Sequence, residues 1–198
     1  MSRIGKARVP TDGELKRLFN IVKVGKHSRR NAAMLSISYR LGFRAKEIAS
    51  LKVKDVLDEQ GRLREECSLT SAMTKGGKPR IAYLTNPVVR QSIKEYLDER
   101  RTQEGILFNV GSALFKSQKG SNFSPNTLQQ LLRHLHDLAG IVGGRSHSGR
   151  RWFATELISR GTDIKAVSVL MGHSSIAMTA RYAEDNPQRL RLIVANLV

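Results

Sequence analysis

Apolar residues recur along most of this chain at helical spacing. After the capping box Thr11-Asp12-Gly13-Glu14, residues Leu15, Leu18, Phe19 and Val22 share one helical face. Met34, Ile37 and Leu41 do the same over residues 30–41, where Gly42 stops the run, and a third helix starting near Arg44 carries Ile48 and Leu51. Between positions 53 and 84 the pattern changes. Extended segments at 68–73 and 80–84 flank Gly76-Gly77, which predicts an antiparallel hairpin closed by a two-residue turn. Helical spacing returns at Val89, Ile93, Tyr96 and Leu97, and again after Ser124-Pro125 at Leu128, Leu131, Leu132, Leu135 and Leu138. Gly143-Gly144 breaks the chain. Phe153, Ala154, Leu157 and Ile158 then mark a helix ended by Gly161, and a short helix follows over 163–171. Asn186-Pro187 opens an amphipathic tail helix over 186–198, with Leu190, Ile193, Val194 and Leu197 on one face. The first ten residues are basic, end at Pro10 and read as a flexible arm. The fold class is α+β and mostly α: a helical core with a small antiparallel sheet, in one domain over 1–198.

Composition sharpens this picture. The chain has 198 residues, 40% of them apolar, with 34 Lys and Arg against 17 Asp and Glu, a formal charge of +17. That charge points to nucleic acid, with a ribosome-associated or acidic-membrane binder as the bland alternatives. No apolar run is long enough for a membrane span, and no apolar segment follows the basic N-terminus as in a secretory signal, so a cytoplasmic location is expected. The single cysteine, Cys67, permits neither an internal disulfide nor a thiolate metal cage. The acidic residues form no cluster suited to two metals, and no G-x-x-x-x-G-K-[ST] loop supports ATP binding. His134 and His136 are two apart and face different directions on a helix, which suits surface or DNA-facing residues rather than metal ligands.

Order and spacing single out a smaller set. Arg44 follows Gly42 at a helix start, Lys75 sits at the hairpin tip, and His147 and Arg150 lie three apart on one helical face. His173 follows Gly172, and Tyr182 comes nine residues later. Alone, each has a bland reading: a tyrosine on a helix is usually core or surface, and a lysine at a hairpin tip is usually a solvated charge.

The stretches LGFRAKEIASLKVKDV, TKGGKPRIAYL and HSGRRWFATELISRGTDIKAVSVLMGHSSIAMTARYAE resemble the catalytic domain of the tyrosine recombinase (phage integrase) family. The resemblance implies that Tyr182 attacks a scissile DNA phosphate, forming a 3′-phosphotyrosyl link and releasing a 5′-hydroxyl, with no ATP, metal or other cofactor. Arg44 and Arg150 would clamp the phosphate oxygens, since guanidinium offers a planar fork and a permanent charge. Lys75 would protonate the departing 5′-oxygen, with Lys78 across the turn as its rival. His147 would manage the tyrosine proton, His173 would donate a hydrogen bond to the phosphate, and Glu47 would orient the cluster. Double-stranded DNA is the implied partner, bound by a homo-oligomer that is tetrameric in the synapse.

The sequence also departs from the family pattern. The residues before Arg44 are too few for the N-terminal helical domain typical of members, as in short members such as fimbrial inversion recombinases, and an accessory DNA-binding protein could complete the grip. Phe43, Gly149 and Arg151 stand where leucine, leucine and histidine are common. Glycine's poor helix propensity at Gly149 suggests a mobile first turn. Arg151 has two readings, a phosphate contact or a solvated charge. The tail helix packs in cis or passes to a neighbouring protomer. Two other activities stay open: DNA relaxation of the type IB topoisomerase kind, and a non-catalytic DNA-binding regulator that keeps the fold.

Overall fold

Thr11 caps the first helix, α1 (Asp12–Val24), through the predicted reciprocal box: its side chain accepts from Glu14 N–H, and the Glu14 carboxylate accepts from Thr11 N–H at 2.9 Å. The structure, a computed structural model, describes residues 7–74, 76–118, 120, 122–184, 190, 191, 194 and 195. The elements that follow are α2 (Ser28–Leu41), α3 (Ala45–Ser50), α4 (Val53–Val56), β1 (Glu66–Leu69), β2 (Arg80–Tyr83), α5 (Pro87–Glu104), a 3-10 turn (Gly105–Leu107), α6 (Pro125–Leu138), α7 (Ser148–Ser159), α8 (Ile164–Met171) and α9 (Ile176–Glu184). The mostly helical fold class with a small antiparallel sheet is what the sequence predicts. The single turn α4 and the helix α9 were not among the predicted elements.

Helix α2 is the axis of the fold. Its sequence predicts one apolar face, but packing against α1, α5 and α7 buries nearly every residue from Arg30 to Leu41. The polar residues it buries include Ser36 and Ser38, small enough for neighbouring helices to come close. At its end Gly42 adopts φ +65°, and a Cβ there would meet Phe153 Cδ1 at 2.5 Å, so both backbone and space demand glycine. A second, smaller core of Ala154, Ile158, Val167 and Met171 joins α7 and α8, and Tyr182 of α9 packs against it.

The hairpin differs from its prediction. β1 and β2 pair antiparallel from Glu66↔Tyr83 to Leu69↔Arg80, so residues 70–79 form the connection instead of Gly76-Gly77 alone. The strand ends at Leu69 because the Met73 and Thr74 amides fold back onto Thr70 O, making a turn that competes with extension. Gly76 and Gly77 do take positive φ, within that longer loop. Lys75 lies outside the described residues.

Three further expectations meet the structure differently. Of the basic arm, residues 1–6 lie outside the described set. The next residues are not loose: Arg8 donates its amide to Gly143 O and pairs with Glu14 at 3.0 Å, and Pro10 is buried. His136 is not a surface residue. It is buried, with Nε2 2.6 Å from Tyr39 Oη and Nδ1 2.6 Å from Leu132 O, a partner set that requires a residue 97 positions away. Of the tail helix, Leu190, Arg191, Val194 and Ala195 are helical and exposed, and the rest lies outside the described residues.

Gly149 is also not a loose point. A Cβ there would collide with Ser38 Oγ and stand 3.0 Å from the Ser38 carbonyl carbon and from Tyr39 Cδ2, so this glycine sets the close crossing of α7 on α2. Helix propensity alone predicts that Gly149→Ala stabilises by about 1 kcal/mol. The crossing reverses the sign: the variant is expected to lose about 1–3 kcal/mol in chemical denaturation.

Candidate active site

Arg44 stands at the junction where α2 ends and α3 begins, and Glu47 one turn later fixes it there. The Glu47 carboxylate accepts from Arg44 N–H at 2.8 Å and from Arg44 Nη1 at 2.9 Å. Its other partner is Arg80, whose Nη2 donates to Glu47 Oε2 at 2.8 Å and whose Nη1 donates to Leu170 O at 2.8 Å. Glu47 is wholly buried. Burial pushes its carboxyl pKa up, but the charge and hydrogen bond of Arg80, the Arg44 amide and the charge of Arg150 outweigh that and hold it below the usual carboxylate range. Arg80 opens β2 within the stretch TKGGKPRIAYL, yet it was not among the predicted site residues. Its guanidinium also lies 4.9 Å from the centroid of Phe43, which gives the departure at position 43 a packing role.

Arg150, on α7, staples two helix ends. Nη1 donates to Gly42 O at 2.6 Å and Nη2 to Met171 O, the last residue of α8. Burial, and then the charge of Arg44, lower its pKa to about 9, so it stays charged at neutral pH. His147 occupies the position just before α7, without a side-chain capping hydrogen bond, and is exposed. His173 follows the Gly172 cap of α8, and its pKa is lowered to about 4 by burial and by Arg150, Arg44 and Arg80, so the imidazole is neutral at pH 7. Its ring stacks on that of Tyr182, with centroids 6.0 Å apart and planes 5° from parallel. The Arg151 guanidinium lies over the Tyr182 ring, 5.6 Å from its centroid, a contact that neither of its two sequence readings contains.

Arg44, His147, Arg150, His173 and Tyr182 all line one cavity of about 960 Å³, and Glu47 sits buried behind it. Lys46, Lys78, Arg145 and Arg151 line it as well, and no Asp or Glu is among the described lining residues. Such a basin attracts an anion from any approach. The chain on both sides of position 75 reaches the site: Lys46 Nζ donates to Thr74 O at 3.1 Å, and Gly76 lines the cavity. Among the described residues no group of three or more His, Cys, Asp or Glu could hold a metal ion, and no helix is long and apolar enough to cross a membrane. Chemically, the arrangement offers guanidinium groups for a tetrahedral oxyanion, neutral imidazole as a hydrogen-bonding group, and a phenol beside them that can act as a nucleophile.

A helical domain with a short hairpin and this cation-lined phenol site defines a class of protein that comparison with known chains makes specific. Residues 9–189 match the phage integrase family, and the chain belongs to it. It is 32% identical over 190 residues to tyrosine recombinase XerA of Pyrococcus furiosus, a match covering 95% of this chain and 62% of the relative. The crystal structure of XerA recombinase superposes with a TM-score of 0.76 at 27% identity, over 96% of this chain and 65% of that one. A post-cleavage structure of XerH site-specific recombinase bound to palindromic difH substrate matches with a TM-score of 0.72 at 25% identity, over 95% of this chain and 52% of that one. The chain thus spans between about half and two thirds of the length of the relatives it matches.

Proposed function

We propose that this chain is the catalytic domain of a site-specific DNA recombinase, cutting and rejoining double-stranded DNA through a covalent 3′-phosphotyrosyl intermediate. The observation that carries this reading is the meeting of Arg44, His147, Arg150, His173 and Tyr182, from distant stretches of sequence, on one cation-lined cavity. The similarity to recombinases solved with DNA substrates supports DNA as the partner. In the proposed reaction Arg44 and Arg150 hold the non-bridging oxygens of the scissile phosphate and offset the charge that builds in the transition state. Tyr182 Oη attacks phosphorus while its proton passes to His147. The P–O5′ bond breaks, and the departing oxygen takes a proton from Lys75. His173 donates a hydrogen bond to the phosphate, and Glu47 holds Arg44 in register. A second 5′-hydroxyl then attacks the phosphotyrosine, Tyr182 recovers its proton, and the strand is resealed with no ATP consumed.

In this reading residues 1–198 act as one catalytic domain, and four copies assemble on two duplexes. An accessory DNA-binding protein adds to the grip on the duplex. The test is covalent capture. The protein is incubated with duplex DNA from the flanks of its own gene, denatured in detergent, digested and mapped by mass spectrometry. A nucleotide adduct on the Tyr182 peptide is expected. Binding of that DNA with no adduct, in the presence of any partner that completes assembly, overturns the reading in favour of a regulator that keeps the fold. Relaxation of supercoiled DNA without a preferred site indicates topoisomerase-like action instead.

A further inference from the structure

His173 is held from two directions. Its amide donates to Ser168 O at 3.0 Å in the turn that closes α8, and its Nδ1 lies 2.8 Å from Thr179 Oγ1. Thr179 is fully buried on α9, three residues before Tyr182, so the helix that carries the phenol also carries the hydroxyl that meets the histidine. The rings of His173 and Tyr182 are parallel, so any rotation of one disturbs the other.

A neutral imidazole carries its proton on one nitrogen only, and the partner of one nitrogen decides what the other can do. Two arrangements fit the 2.8 Å contact. If Nδ1–H donates to Thr179 Oγ1, the hydroxyl hydrogen needs a second acceptor, and among the described residues Thr179 Oγ1 has no other hydrogen-bond partner. A buried O–H without an acceptor bears its whole desolvation cost. If the hydroxyl donates to Nδ1, both groups are satisfied and the imidazole proton sits on Nε2.

We infer that Thr179 is a positioning residue: by donating to Nδ1 of His173 it fixes the tautomer with the proton on Nε2, leaving that nitrogen as a hydrogen-bond donor for an anion in the cavity. Nε2–H is then set before the anion arrives, and the ring orientation is fixed by the helix that bears Tyr182. Burial, and then the surrounding cations Arg150, Arg44 and Arg80, keep the ring neutral, so its donor is a tautomer choice and not a charge. The role in DNA cleavage rests on the function proposed above, whereas the tautomer itself does not.

The test uses the full chain with nitrogen-15 labelled histidine. Long-range proton–nitrogen correlation spectra of the DNA-free protein are expected to show His173 with a protonated Nε2 and an Nδ1 shielded as a hydrogen-bond acceptor. Thr179→Val, which keeps the shape and removes the hydroxyl, is expected to shift Nδ1 to the position of an unbonded nitrogen, and Thr179→Ser to retain the native spectrum. With DNA, Thr179→Val should lower the single-turnover cleavage rate about tenfold to a hundredfold with little change in Kd, and Thr179→Ser should restore it. A proton on Nδ1 in the unaltered protein overturns the inference. So does a valine variant whose Nδ1 shift matches the native one. Because these spectra need no DNA, a protein that fails to cleave leaves the tautomer result standing, and the two readings fail separately.

Discussion

Tyr182→Phe is expected to bind DNA as the unaltered protein does and to form no covalent link with it, with strand cleavage lowered by about 10⁴-fold or more. The substitution removes one oxygen and leaves its supports in place. The ring still packs on the small core of α7 and α8, still lies parallel to His173, and still has the Arg151 guanidinium 5.6 Å from its centroid. Stability should therefore change by no more than about 0.5 kcal/mol, the range of substitutions that disturb no packing. The anion basin is built by Arg44, Arg150 and their neighbours, so duplex affinity and its steep salt dependence should persist. Detergent-resistant attachment, a gel-shift titration and a thermal melt on the same preparation check the three statements. Attachment that survives in the phenylalanine variant would show that another side chain is the nucleophile.

The helical part of this fold is legible in the sequence because its signals are local. Thr11 and Glu14 cap α1, Ser124 caps a helix that begins with proline, and the apolar positions of α5 and of α6 as far as Leu135 lie toward the core, whereas Leu138, at the last position of α6, is exposed. The extent of the hairpin connection is not legible, because Gly-Gly states which backbone is permitted without stating where pairing ends. The turn at Thr70 decides that. The candidate site residues are picked out by motif, and five of the six, Arg44, His147, Arg150, His173 and Tyr182, line one cavity. What the motif could not give is the frame behind them. Arg80 meets Glu47 across 33 residues, Arg150 reaches Gly42 across 108, and Thr179 acquires its partner only when the α8 cap turns His173 back toward α9. Gly149 shows the same limit, since its propensity is local and the helix crossing that requires it is not.

Glu47→Gln is expected to cost about 3–5 kcal/mol in chemical denaturation, because it leaves buried guanidinium groups without their counter-charge. Glu47 is the shared acceptor of Arg44 and Arg80, and its charge also faces Arg150. Glutamine keeps the shape and one acceptor, so the loss reports charge and not a cavity. The pH dependence carries the same information. A carboxyl held below its ordinary 4.5 in the folded state contributes stability that is fully present above that value and disappears as pH falls through the folded value. The native protein should therefore show an acid-labile component of stability that Glu47→Gln lacks. Removing the carboxylate also makes the basin more attractive to anions, so millimolar sulfate should raise the Tm of the variant more than that of the native protein. A variant as stable as the native chain, with the same acid profile, would mean that Arg44 and Arg80 are held by their carbonyl and packing contacts alone. In that event Glu47 would not be what registers the first arginine of the cavity against the strand that follows Lys75.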